Sequence, residues 1–336
     1  MFGPLSHQPE PKLFEKRTDG NEFQCPPSIL STACHPLVEE MTERVNDFFL
    51  TNWPFPDEAR RRAFVAGQYA RVACLAFPMA NNDRIYLICV LLTIQFLIDD
   101  AFGDLSFSQG RALAEHIAHL CRGQRLPNRA VPMEWISFDV FRDMRALDAE
   151  RASHVADAVE KSMMVQTSTR RGKDMGFSQF VEYRSVDVGT FCSGRADECR
   201  RILFALIPFS MGLEPKLGER EAVRDVNANF ARHFLAMNDL VGYEREVMES
   251  KAGHEEGGTL INSVSVLAAE LCLSPEATKR LLWQMCREWE RRHRELARGV
   301  LRGGDSPDLE TYVKCLEYMM TAGEVWGLAT ARYQVS

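Results

Sequence analysis

A chain of 336 residues, 46% hydrophobic and 26% charged, is long enough and apolar enough to bury a large core. Its formal net charge of -7 excludes the basic face that a nucleic-acid surface requires, so no nucleic-acid partner is expected. The longest near-apolar run, "IYLICVLLTIQFLI" over residues 85–98, has 14 residues with Thr93 and Gln95 inside it. That is short for a bilayer span and suits a buried helix, so membrane insertion is not expected.

Residues 1–32 hold five prolines and little periodicity, and read as an irregular arm. From His35 the remainder, 33–336, reads as a single α-helical domain. Apolar residues recur at helical spacing in "PLVEEMTERVNDFFLTNW", with Pro36 fit for a first turn. Helical patterns follow over 57–77, 82–100 and 108–123, then over 129–170 with a break at its proline. "GFSQFVEYRSVDVGTF" and residues 219–247 continue the pattern, and "LSPEATKRLLWQMCREWERRHRELARG" opens with Ser274 and Pro275 as cap and first turn. "DLETYVKCLEYMMTAGEVWGLATARY" closes the chain. Alternating β-branched runs bounded by turns are lacking, so the expected fold is all-α, roughly ten helices packed on one another.

Ten cysteines are scattered without a CxxC pair, several inside apolar stretches, and the start lacks a signal-peptide layout. Together these point to a reduced, cytoplasmic protein. His116 and His119 stand three apart on a helix with no third ligand in view, which does not make a zinc site. The charge-rich stretch 287–298 reads as a solvated helix face.

Four pieces carry chemistry. "FLIDDAFGD" sets Asp99, Asp100 and Asp104 at the end of the greasy helix, where the macrodipole is already negative. Carboxylate oxygens placed so are either a solvated helix end or ligands for Mg²⁺, which binds through one or two carboxylates plus phosphates. "NDLVGYERE" puts Asn238, Gly242 and Glu246 on one stripe of one helix. "EYRSVDVG" holds Arg184, with Asp187 three residues on and able to orient it, and "ATARY" ends in Arg332 and Tyr333. An arginine fork and a phenol are good phosphate donors, although a surface arginine and an amphipathic chain end read equally simply.

In this order the four pieces resemble class I terpene synthases of microbial type, over about residues 35–335. "DDAFGD" resembles the aspartate-rich motif, and "NDLVGYERE" resembles the second metal motif, ND-x-x-S-x-x-K/R-E. The resemblance implies a helical bundle around a central apolar cavity, and three Mg²⁺ ions clamping a linear isoprenoid diphosphate. Farnesyl diphosphate cyclised to a sesquiterpene is the expected reaction. Geranyl or geranylgeranyl diphosphate, or a catalytically impaired diphosphate-binding protein, are the alternatives. The implied metal set is Asp99, Asp104, Asn238, Gly242 and Glu246. Arg184, Asn238, Arg245, Arg332 and Tyr333 would meet the diphosphate, and Asp100 and Asp239 would serve in motif ion pairs. Asp187 would link Arg184 to the following turn, where Val188 and Gly189 match the family's effector region. Phe77, Phe96, Phe191 and Trp326 are the candidate cavity aromatics. Two departures stand out: Gly242 replaces the family's serine or threonine, leaving room for a water, and Arg245 replaces its lysine. A monomer or homodimer is expected.

Overall fold

The computed structural model describes residues 26–166, 176–181, 202–251, 260, 262–303 and 306–334. Twelve α-helices of eight residues or more form among them, and no strand. They are α1 (Val38–Asn52), α2 (Glu58–Gly67), α3 (Tyr69–Ala76), α4 (Ile85–Gly103), α5 (Phe107–Cys121), α6 (Pro132–Leu147) and α7 (Ala149–Gln166). After these come α8 (Ile202–Met211), α9 (Arg224–Lys251), α10 (Ser263–Leu271), α11 (Pro275–Arg302) and α12 (Pro307–Ala329). A 3-10 turn, Ala331–Tyr333, follows α12.

Local chemistry sets the helix starts. Asp57 caps α2 by accepting from the Arg60 N–H at 2.7 Å, and Ser106 with Gln109 makes a reciprocal capping box on α5. Ser274 and Pro275 open α11 as the sequence suggests. Helix α6 starts at Pro132, the break read in 129–170, but two stretches read as unbroken are divided. Residues 57–77 break at Gln68, whose φ of 50° is left-handed, and 129–170 break at Asp148, whose extended backbone places its carboxylate on the Arg151 N–H at 3.1 Å. Periodicity does not see such breaks, because the apolar stripe resumes on the far side of each.

The greasy helix runs past the expected end at residue 100. Gly103 stays helical and Asp104 closes α4, so Asp99, Asp100 and Asp104 all sit on its last turns. At 19 residues and a mean hydropathy of 1.9, α4 is long and apolar enough to cross a membrane by length and composition alone. Within the fold it packs against α1, α3, α6 and α8, and its Ile88, Leu91 and Ile94 are completely buried. On the other side of the bundle α9 lies against α11 and α12, while α12 also packs on α3 and α3 on α4. Helices α3 and α12 thus bridge the two helices that carry the metal-type motifs.

The charge-rich stretch of α11 is not simply solvated. Arg287, Glu290 and His293, spaced three apart, are all buried. The Arg287 guanidinium meets Glu290 at 2.5 Å and Glu324 of α12 at 2.6 and 2.8 Å. Pairing is what makes these charges tolerable inside. The same node holds the segment before α1: Arg287 donates to the Pro26 carbonyl at 2.6 Å, and the Ile29 N–H donates to Glu290 at 2.9 Å.

Candidate active site

The C-terminal end of α4 faces α9 and the terminal 3-10 turn. Asp100 is the junction. Its carboxylate accepts Arg332 Nη2 at 2.6 Å and Nη1 at 3.0 Å, a two-pronged pairing across 232 residues of chain. Arg245 of α9 reaches the same carboxylate at 2.9 Å and is steadied by Glu249 at 2.6 Å. Burial pushes the Asp100 carboxyl up, but Arg332 and Arg245 together hold it below the ordinary carboxylate range. Burial works against the Arg332 charge as well, and Asp100 more than offsets it, holding that guanidinium well above its usual value.

Arg332 also donates to the Tyr69 hydroxyl at 2.9 Å. Its guanidinium carbon lies 5.2 Å from the ring centre of Phe96 and 5.6 Å from that of Tyr69, in cation–π range. Tyr69, Phe96, Trp326 and Tyr333 form one aromatic group: Phe96 is 5.0 Å from Tyr69 and 5.4 Å from Trp326, and Trp326 is 5.6 Å from Tyr333. Two of the four candidate cavity aromatics, Phe96 and Trp326, therefore meet at this end of the bundle. Phe77 is fully buried as the C-cap of α3, and Phe191 lies outside the described residues. Arg184, Asp187, Val188 and Gly189 also lie outside them.

On α9, the Asn238 amide donates to the Tyr333 hydroxyl at 3.3 Å. Burial pushes that phenol up to about 12, so it stays a hydrogen-bond donor at neutral pH. Glu246 accepts from the Asn262 amide at 3.1 Å, and that amide also donates to the Asp239 carbonyl at 2.9 Å. Asp239 is wholly buried and accepts both the backbone N–H and the hydroxyl of Ser263, at 2.7 and 2.5 Å. Its carboxylate thereby docks the start of α10 on α9 and brings Asn262 against Glu246.

Glu246 and Tyr333 crowd the place where a side chain at Gly242 would begin. A Cβ built there would lie 2.9 Å from Glu246 Oε1 and 3.4 Å from the Tyr333 ring. Glycine at this place lets the carboxylate one turn later fold back against the helix.

Hard oxygen donors are present in two halves: the exposed carboxylates Asp99 and Asp104 on α4, and Asn238 with Glu246 on α9. Among the described residues no three acidic, histidine or cysteine side chains converge into a cage of their own. This fits a hard divalent ion that takes few protein ligands and completes its shell with substrate phosphates and water. The buried Arg332 Nε has no hydrogen-bond partner among the described residues, as suits a donor waiting for an anion. A groove of about 480 Å³ lined by Asn82, Asp83, Tyr86, Leu87 and Asp143 lies at the opposite end of α4 and is unrelated to this site.

Residues 91–292 match the family described as terpene synthase family 2, C-terminal metal binding. Aristolochene synthase of Aspergillus terreus is 43% identical over 94% of this chain and 96% of its own. (+)-Aristolochene synthase of Penicillium expansum is 42% identical over 92% of this chain and 90% of its own. The crystal structure of aristolochene synthase from Penicillium roqueforti superposes with a TM-score of 0.78 at 37% identity, covering 91% of this chain and all of that one.

The chain belongs to the class I terpene synthase family.

The match to the metal-binding segment makes this terpene synthase a lyase dependent on divalent metal. It begins within α4 before Asp99 and ends within α11, so it takes in both acidic motifs. Tyr69 of this terpene synthase site is not singled out by motif reading, whereas Asn262 and Ser263 lie in "GGTLINSVSV", a stretch after the second motif that also resembles the family. Tyr69 stands alone in "AGQYAR" with no spacing signal. In "INSVSV" the Asn-Ser pair ahead of an apolar run is a helix-start signal.

Proposed function

We propose that the protein ionises farnesyl diphosphate and cyclises the resulting cation to a sesquiterpene, with Mg²⁺ as the ion and three ions engaged. The observation that carries this reading is the meeting of Asp100, Arg245 and Arg332, which draws the acidic end of α4, the second motif on α9 and the chain terminus to one mouth. Asp99 and Asp104 would hold ions on one side, and Asn238 and Glu246 on the other. When bound, such ions neutralise the diphosphate and make it a better leaving group.

The side chains then have distinct tasks. Arg332 and Arg245 present guanidinium forks, and Tyr333 a protonated phenol, to the oxygens on which charge develops as the C1–O bond breaks. The bond's electron pair departs with diphosphate, and the allylic cation left behind reacts with water unless water is excluded. Tyr69, Phe96 and Trp326 provide a dry wall, and two of these rings already face a guanidinium cation, which is the geometry that steadies a carbocation. Within the same proposal Arg184 senses the diphosphate, Asp187 orients it, and the backbone at Val188 and Gly189 joins the trigger. The seven described thiols are free, which supports a reduced compartment, and we extend the reading to a cytoplasmic monomer or homodimer that does not insert in bilayers.

The test is incubation of purified protein with geranyl, farnesyl and geranylgeranyl diphosphate and Mg²⁺, with hydrocarbons identified by gas chromatography–mass spectrometry. Cyclic C15 product from farnesyl diphosphate is expected. Failure to release inorganic diphosphate from any of the three sinks the catalytic reading, and calorimetric binding of diphosphate without turnover would leave a binding protein.

A further inference from the structure

The backbone carbonyl of Gly67 ends α2, and because Gln68 turns left-handed before α3 starts, that carbonyl has no helical partner ahead of it. It accepts two buried hydrogen bonds from the far end of the chain: Trp326 Nε1 at 2.9 Å and Thr330 Oγ1 at 2.8 Å. Thr330 is 2% exposed. A hydroxyl has one proton, which here goes to Gly67, so its lone pairs are left to accept. They accept the Arg332 N–H at 3.2 Å, making Thr330 the cap of the terminal 3-10 turn.

One hydroxyl therefore ties the α2–α3 break to the turn that carries Arg332 and Tyr333. The break is itself shaped for the site. A Cβ on Gly67 would lie 2.8 Å from the Tyr69 ring, so only glycine lets Tyr69 fold back to meet Arg332. Tyr69 and Arg332 then close a loop: Gly67 carbonyl, Thr330 hydroxyl, Arg332 backbone, Arg332 guanidinium, Tyr69 hydroxyl.

We propose that Thr330 is a positioning residue for the reaction, setting the depth at which Arg332 and Tyr333 stand over Asp100 and Asn238. The inference rests on the reading of this site as a diphosphate site. It adds a residue that touches neither substrate nor ion and acts through the 3-10 turn Ala331–Tyr333. Valine at 330 keeps the shape and removes both hydrogen bonds, releasing the Arg332 N–H from its cap. Serine keeps both bonds.

The test is steady-state kinetics with farnesyl diphosphate for T330V, T330S and T330A, each assayed well below its unfolding midpoint, together with crystal structures of T330V and the parent. T330V and T330A should lose kcat/KM by roughly 10- to 100-fold, mostly in kcat, while T330S stays within about threefold of the parent. In the T330V crystal the paired contact between Arg332 and Asp100 should be lost or lengthened. A purely structural threonine would lower the unfolding midpoint of T330V and leave its kcat unchanged, which overturns the proposal. An unmoved Arg332–Asp100 pair in T330V overturns it too. If the parent itself turns over no diphosphate, the functional reading fails, and the crystallographic comparison still decides whether Thr330 places Arg332. Should T330V not fold, T330A supplies the same comparison without the branched side chain.

Discussion

Arg332, beside Tyr333, grips Asp100 with both Nη atoms, at 2.6 and 3.0 Å, while Arg245 touches the same carboxylate at 2.9 Å. Two guanidinium groups share one carboxylate, and Arg245 is paired with Glu249 as well, so both forks are held in place by carboxylates at the mouth of the site. Arg332→Lys keeps the charge but not the planar fork, the ring stacking or the simultaneous reach to Tyr69. We expect kcat/KM for farnesyl diphosphate to fall at least about tenfold with the unfolding midpoint little changed, which corresponds to roughly 1.4 kcal/mol of transition-state stabilisation. A lysine enzyme as active as the parent would show that the fork is not used.

Asp99 on α4 and Asn238 on α9 stand on opposite sides of the mouth, one exposed and one half-buried. Replacing either with alanine should abolish turnover while the far-ultraviolet circular dichroism stays helical. Full activity in either variant contradicts the assignment of these oxygens to metal.

Gly242 makes an unusual demand, because Glu246 Oε1 sits 2.9 Å from where its Cβ would be. Alanine is the better helix former by about 1 kcal/mol, so Gly242→Ala need not destabilise the fold. It must, however, push the Glu246 carboxylate off its place. Several-fold lower kcat, with more magnesium needed for half-maximal rate and no fall in the unfolding midpoint, is the expected outcome. An unchanged magnesium dependence would mean that Glu246 does not serve the metal from its present position.

His293 on α11 is wholly buried, and burial together with the nearby His233 lowers its pKa from 6.5 to about 4, against the opposing pull of Glu317. As pH falls through 6.5 the unfolded chain takes up a proton that the folded chain refuses until about pH 4. Stability from this group is full above pH 6.5 and is lost between there and about pH 4, by up to about 3 kcal/mol. Urea melts at pH 7 and pH 4.5 should show a smaller difference for His293→Gln than for the parent. Equal pH dependence in the two proteins would place the acid sensitivity elsewhere.

Much of the architecture is legible in the chain because helices announce themselves locally. The apolar stripes of α1, α5 and α9, the Ser274–Pro275 start of α11 and the absence of strand patterns need only neighbours within a few residues. What periodicity misses are the breaks at Gln68 and Asp148 and the inward charges of α11. An apolar stripe can resume after a one-residue reversal, and a buried Arg287 looks like a surface one until Glu290 and Glu324 are seen around it.

For the site, sequence alone determined the chemical parts and their order: carboxylates at the end of a greasy helix, an Asn–Gly–Glu stripe, and the Arg332–Tyr333 pair. Ligand types and helical spacing are local facts, written in runs of fewer than ten residues. Tertiary structure alone decided which of those parts touch. Asp100 took Arg332 and Arg245 as partners, Glu246 and Tyr333 crowded Gly242, and Tyr69 and Thr330 joined a site to which no motif assigns them. These are contacts across up to 263 residues of chain, made only because α3 and α12 pack together and bring the break between α2 and α3 against the last 3-10 turn. No local pattern encodes such a contact, since it depends on the summed packing of helices that lie between the partners.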